Sequence, residues 1–393
     1  MCINVVRPFL QLLCAGYLLC QISEGRTACG DVTAEFTSVK RLLQAKSYND
    51  AAANLSRLRE CNNLSPLQMF EIGWLYGRAR HFRDALSVFQ RVPEDVPDRS
   101  SHQYAIALSQ FELADYKGAV ETLKTSEAEG GLTPESVNLL AVSYSKLALY
   151  EQAQSILTQE IQRHREDQSA YLNLITLYAD QDRYTEAARI ASDAVKAFPQ
   201  SAEVLVVRGA ANTLTGQLDQ AYEDFSNAIR LAPNWADPRF FLALTRYKQG
   251  KFTDAITALE SANRSGIADS DLHYLLAECL LKRNAANTQA ALQELDTAIQ
   301  LNNNSVSARA LRGKLLLEAG KPKEAVADLE LAHQRDPNSR TATYSLARAY
   351  QRSGRREESQ LLFDKLRSGK IDAVNELSQR RLNEVLIQKE AQP

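Results

Sequence analysis

The chain has 393 residues, 45% hydrophobic and 24% charged, with a formal net charge of −2. A near-neutral balance supplies no long-range attraction to phosphate backbones or anionic membranes, which argues against a nucleic-acid reader. Sixteen glycines and 11 prolines are few for this length, and strand-like alternation is hard to find, so the composition favours helix.

At the N-terminus, Arg7 precedes an apolar run from Phe9 to Leu19, with Ser23 and Gly25 at a plausible cleavage spacing. The run is shorter than the ~20 residues of a bilayer span. Residues 1–25 therefore read as a secretory signal peptide, with a retained membrane anchor as the alternative. Export to a periplasmic, extracellular or secretory-lumen setting is the expectation, with no stable membrane insertion after cleavage.

The next stretch to demand an account is Gly73 to Leu86, GWLYGRARHFRDAL, where two glycines stand four apart. They fall into a 34-residue frame with units starting near 32, 66, 100, 134, 168, 202, 236, 270, 306 and 340. Position 20 of the frame is Ala51, Ala85, Ala119, Ala153, Ala187, Ala221, Ala255, Ala291 and Ala325, then Ser359. A two-residue insertion around Asn284–Thr288 interrupts the eighth unit. Position 8 is small in most units, as at Gly73, Gly209 and Gly313; position 24 is large and apolar, as at Leu55, Phe89, Phe225 and Leu329. Apolar residues at helical spacing occupy positions 4–12 and again 17–28, with Gly216, Gly250, Gly320 and Gly354 between them at position 15. Each unit thus reads as two antiparallel helices, A and B, crossing at the small residues of positions 8 and 20. Pro199, Pro233 and Pro337 close their units. Gly73 is a helix-crossing residue, and neither glycine follows a strand or opens a helix as a phosphate loop requires.

The tail from Lys370 to Pro393 reads as a further helix, with Ile371, Val374, Leu377, Leu382, Val385 and Leu386 on one stripe. It would cap the last unit.

The repeated slots resemble the tetratricopeptide repeat (TPR) family over residues 32–373. The resemblance implies an all-α fold, a right-handed superhelical α-α solenoid over residues 26–369. It also implies a concave face, built mainly from A helices, that grips an extended peptide or a partner protein. Several units depart from the pattern by lacking the closing proline, and position 27 is polar at Ser126 and Glu160.

By the family's geometry, positions 2, 5, 9, 12 and 13 face inward. The candidate partner-binding residues are then Phe70, Trp74, Tyr104 and Phe111 in the N-terminal half. In the C-terminal half they are Tyr247, Lys248, Tyr274, Lys282, Lys314, Tyr344 and Arg348. Aromatic anchors mixed with cations make binding hot spots; the alternative is that aromatics at positions 5 and 9 only pack on the adjacent unit. The family's carboxylate clamp, Lys at 5 with Asn at 9, is not matched: those slots hold Phe70/Trp74, Asn138/Val142 and Tyr274/Glu278.

Two units replace the apolar residue at position 7 by Arg208 and Arg312, and both carry Asp at position 23, Asp224 and Asp328. We expect A-to-B ion pairs there. Cys29 and Cys61 flank the first hairpin, whose two ends are neighbours, so a disulfide is expected between them. Cys279, inside an A helix, reads as a small buried side chain.

The five histidines occupy different slots and show no metal-ligand spacing, and no nucleophile motif occurs. No catalytic residue, metal or cofactor is expected. The reading is a non-catalytic exported scaffold for protein–protein interaction. The alternative is a repeat subunit of a polysaccharide-export or secretion machinery, with a glycan polymer or pore as partner.

Overall fold

The protein's structure, a computed structural model, describes residues 32–61 and 64–366. The expected leader at 1–25, Cys29 and the expected capping helix at 370–393 lie outside the described residues. The chain falls into two compact units, one reaching Gln181 and the other starting at Asp182. Among the described residues every regular element is helical.

In the first unit α1 (Val32–Gln44) and α2 (Tyr48–Arg59) form a hairpin, followed by α3 (Pro66–Arg78) with α4 (Phe82–Phe89). Then come α5 (Arg99–Glu112) with α6 (Tyr116–Gly130), α7 (Pro134–Lys146) with α8 (Tyr150–Arg163), and α9 (Gln168–Ala179). The second unit opens on α10 (Tyr184–Ala197). It continues with α11 (Ala202–Leu214) and α12 (Leu218–Leu231), then α13 (Ala236–Lys248) and α14 (Phe252–Arg264). After these come α15 (Ser270–Arg283) with α16 (Thr288–Leu301), α17 (Val306–Glu318) with α18 (Pro322–Arg335), and α19 (Arg340–Arg352) with α20 (Arg356–Lys365). Helices α1, α3, α5, α7, α9, α11, α13, α15, α17 and α19 are the A helices of the 34-residue frame. The A helix expected to open near 100 begins one residue earlier, at Arg99.

Local chemistry sets these boundaries. Ser65 caps α3 by accepting from the Gln68 amide, while the Gln68 side chain accepts from the Ser65 amide. Asp98, Thr133, Asp167, Ser201, Ser305 and Ser339 cap other A helices by accepting from a backbone amide of the first turn, without the return bond. Between A and B the chain turns through one left-handed residue at position 15. Gly216, Gly250, Gly320 and Gly354 have φ of 80°, 73°, 76° and 86°. Earlier hairpins put Lys46, Arg80, Ala114, Ala148 and Asp182 at the same slot with φ from 57° to 62°. In the eighth hairpin the insertion is taken up by a 3₁₀ turn, Ala285–Asn287, and the Asn287 side-chain Nδ2 donates to the Leu280 carbonyl at 3.0 Å.

Packing follows the frame. The position-20 alanines from Ala51 to Ala325 are at most 1% exposed, which lets helix axes approach closely. Ser359 stands at that slot in the last hairpin, and its hydroxyl donates to the Ala347 carbonyl on the facing helix at 2.8 Å. One core in the first unit joins Phe36, Leu55, Ile72, Tyr76 and Phe89. A core in the second joins Phe225, Phe240, Phe241, Tyr274 and Leu295. Position 24 is buried from Leu55 to Leu329, whereas Phe363 in the last hairpin is only half-buried.

Candidate protein-binding face

The aromatic slots of the A helices divide into core and surface. Phe70 (3% exposed), Tyr104 (4%), Phe111 (6%) and Tyr274 (0%) are core side chains. Burial pushes the Tyr104 phenol well above its ordinary value. Phe70 packs on the Phe89 ring at 5.3 Å, and Phe111 on the Tyr116 ring at 5.1 Å. Side chains placed this deep offer a partner little area, so position 5 at Phe70, Tyr104 and Tyr274 and position 12 at Phe111 serve inter-helix packing. Trp74 is half-buried between Phe70, Phe89 and Tyr104, at ring distances of 6.2, 5.8 and 6.3 Å. Its indole Nε1 is buried without an acceptor among the described residues.

The second unit presents the surface set. Lys248 is the last residue of α13, Lys282 lies in the last turn of α15, Lys314 in the middle of α17 and Arg348 in the middle of α19. The three lysines are exposed and have no ion-pair partner among the described residues. Arg348 is half-buried, with its guanidinium 5.9 Å from the ring centre of Tyr344, which is 40% exposed. Tyr247 is half-buried, edge-on to Phe252 at 5.5 Å. Two acids border the set: Glu278, which accepts from the Tyr274 hydroxyl at 3.2 Å, and Glu318. Nearby, Arg352 donates to the Leu317 carbonyl at 2.6 Å, which ties α19 to α17. The arrangement is four consecutive A helices, each carrying one member of this set of cations at position 9 or 13, with tyrosines beside the first and last. Such a surface attracts carboxylates without burying unpaired charge.

The charged slots at positions 7 and 23 carry no partner chemistry. Arg208 Nε donates to Asp224 Oδ2 at 3.0 Å, and Asn212 donates to the same oxygen at 3.2 Å. Burial raises the Asp224 carboxyl's pKa even beside the Arg208 guanidinium. Arg312 Nε donates to Asp328 Oδ2 at 2.6 Å and Arg312 Nη1 to Asp296 at 2.7 Å. A second guanidinium, Arg309, reaches Asp328 Oδ1 at 2.8 Å and also holds the Asn303 carbonyl and side chain. Sequence reasoning missed Arg309, Asn212 and Asp296. Arg309 precedes Arg312 by one helical turn and Asn212 follows Arg208 by one, so i, i+3 and i, i+4 spacing was the available signal.

A separate polar chain in the first unit links the Asn173 amide to Asn138 Oδ1 and the Asn138 amide to Asp167, each at 2.8 Å. Cys279 is buried and its thiol is pushed up to about 12 by burial, so it is a poor nucleophile. Cys61 is disulfide-bonded; Cys29, its expected partner, lies outside the described residues. Among the described residues no three metal-ligating side chains converge, and no helix is long and apolar enough to cross a membrane.

A family model described as the Cilia and flagella-associated protein 70 C-terminal domain, a TPR domain, matches residues 99–346. The mitochondrial import receptor subunit TOM70 of Saccharomyces cerevisiae is 29% identical over 205 residues, 50% of this chain and 33% of that protein. The anaphase-promoting complex subunit 7 of Arabidopsis thaliana is 27% identical over 159 residues, 40% of this chain and 28% of its own length. The chain thus spans about a third of the length of these curated relatives. A crystal structure of a tetratricopeptide repeat protein from Parabacteroides merdae superposes with a TM-score of 0.51 at 15% identity, covering 64% of this chain and 98% of that one. That likeness shows the shared fold.

These relatives correct one expectation. Export to a periplasmic, extracellular or secretory-lumen compartment does not stand, because the relatives are a mitochondrial import receptor subunit and an anaphase-promoting complex subunit, not exported proteins. The expectation rested on the apolar run Phe9–Leu19, a compositional signal about a dozen residues long that lies apart from the repeats and outside the described residues.

Proposed function

Since this chain belongs to the tetratricopeptide repeat family of the Cilia and flagella-associated protein 70 C-terminal domain, we propose that it is a non-catalytic scaffold. It binds an acidic segment of a partner protein on the A-helix face of α13, α15, α17 and α19. The observation that carries the reading is the set of exposed lysines Lys248, Lys282 and Lys314, without ion-pair partners among the described residues, on successive A helices followed by Arg348 on the next, with Tyr247 and Tyr344 beside the first and last. Elsewhere in the second unit the cations at positions 4 and 7, Arg208, Arg309 and Arg312, are satisfied internally. Cations left without partners on regular, rigid helices are preorganised for an external anion. The names of the relatives, an import receptor subunit and a subunit of a multiprotein complex, support a role in protein–protein contact.

The test is capture of partners from native extract by the immobilised protein and by a Lys282→Glu, Lys314→Glu, Arg348→Glu variant. The reading predicts that the variant loses capture while its thermal unfolding is unchanged. Undiminished capture by the variant removes this face from consideration.

We propose Cys29 as the partner of Cys61. Under non-reducing conditions the intact mass should be 2 Da below that of the reduced chain if this is the one bond formed, with the Cys29 and Cys61 peptides linked in a digest.

A further inference from the structure

Resting on the reading above, the geometry points to a specific partner pattern: we propose that this face takes an extended acidic segment about ten residues long, with a carboxylate at every third residue. The argument is one of spacing. Lys248 and Lys282 are 34 residues apart, both at position 13 of consecutive A helices. Lys314 and Arg348 are also 34 apart, both at position 9 of the next two. Each of the four hairpins therefore contributes one cation to this series, with Arg352, at position 13 of α19, turned to the Leu317 carbonyl instead, and no hairpin in the series is skipped.

Packed helix axes lie about 8–10 Å apart, so neighbouring cations at one position are separated by about that distance. Between Lys282 and Lys314 the position shifts by four residues, about 6 Å along the helix axis at 1.5 Å per residue. That step is therefore about 11 Å. An extended chain advances about 3.3 Å per residue, so three residues span about 10 Å. Carboxylates at residues 1, 4, 7 and 10 of an extended segment meet the four cations in turn.

The surrounding charges sharpen the register. Glu278 stands one helical turn before Lys282 on α15, and Glu318 one turn after Lys314 on α17. They lie on opposite sides of the line of cations and repel an acidic chain that strays from it. Asp237 and Asp271, at the start of α13 and α15, oppose displacement toward the helix N-termini. Clustered acids can reach at most two of the cations and gain repulsion from these glutamates. Tyr247 and Tyr344, beside the terminal cations, offer apolar edges to the ends of the segment.

The probe is a fluorescein-labelled decapeptide of serine and threonine with aspartate at 1, 4, 7 and 10. It is compared with one of the same composition with aspartate at 1 to 4, and with one carrying lysine at 1, 4, 7 and 10. Binding to the full chain is followed by anisotropy at low ionic strength. Exposed ion pairs are individually weak, so the expected advantage of the spaced over the clustered peptide is about tenfold over four sites. Lys282→Glu should weaken the spaced peptide several-fold and leave the clustered peptide within about twofold. Equal affinity of spaced and clustered acids, both sensitive to Lys282→Glu, overturns the spacing and leaves the basic face as the binding surface. Binding of the acidic peptides that is indifferent to Lys282→Glu and Lys314→Glu, or no binding at all, overturns the spacing too. The capture experiment above then decides the fate of the face itself.

Discussion

A Cβ atom added to Gly73 would stand 2.4 Å from Cε1 of Phe89. The helices α3 and α4 therefore touch through a bare backbone and an aromatic ring, and the ring has no room to retreat, since Phe89 is 2% exposed. The same relation recurs at Gly209 with Phe225, where the distance is 2.7 Å. Gly77, one turn further along α3, meets nothing within 4 Å. Gly73→Ala should thus destabilise the fold by about 1–3 kcal/mol through overpacking. Gly77→Ala should stabilise it by about 0.5–1 kcal/mol through helix propensity. Urea unfolding of both variants separates the two; equal signs would contradict the packing account.

The left-handed slot at position 15 yields a stabilising change. Ala114 and Ala148 have φ of 62° and 58° and are exposed. A left-handed alanine costs about 1–2 kcal/mol, part of which glycine returns as entropy in the unfolded chain. Ala114→Gly and Ala148→Gly should each stabilise by up to about 1 kcal/mol, read as a rise in the unfolding midpoint without a change in slope.

Asp328 receives two guanidiniums, Arg309 and Arg312, and is 5% exposed. Asp328→Ala leaves both without that acceptor in a part-buried site and should cost about 3–5 kcal/mol. Asp224→Ala affects the single guanidinium of Arg208, whose side chain is 18% exposed and within reach of water. Its cost should be smaller, about 1–3 kcal/mol. Chemical denaturation of the two variants gives the ranking, and the reverse order would sink the assignment.

Glu160 is buried, with Oε1 unpartnered among the described residues. Burial raises its pKa, and Asp167 and Glu135 add repulsion. The folded state therefore binds this proton more tightly than the unfolded state. Its contribution to stability is fully present below the ordinary glutamate pKa and is lost as pH rises through the raised value. Glu160→Gln should raise the melting temperature at pH 7–8, and the gain should shrink toward zero as pH falls to about 4. A gain independent of pH would assign the effect to packing instead.

Much of the fold was legible because its determinants are local and recur. Alanine at position 20, small residues at position 8 and glycine at position 15 each report one backbone constraint, and repetition separates them from chance. The left-handed turns at Lys46, Arg80, Ala114 and Ala148 were not legible from residue type, since packing of the flanking helices imposes them on residues that do not favour them; Asp182, of a type that tolerates this region, stands at the same slot. The proposed binding face was harder. Phe70, Tyr104, Phe111 and Tyr274 occupy slots shared by core and surface, and side-chain depth depends on the neighbouring hairpin. Position alone does not separate them from Tyr344. The cations were more legible, because an exposed lysine needs no packing partner.

The central claim is that partners contact the A-helix face of the second unit. Photocrosslinking tests it most directly, with a benzophenone amino acid in place of Lys282 or Lys314 on A helices, and in place of the exposed Thr257 or Gln293 on α14 and α16. The account predicts partner adducts from positions 282 and 314 and none from 257 and 293. Adducts from the B-helix positions, with none from 282 and 314, would contradict it.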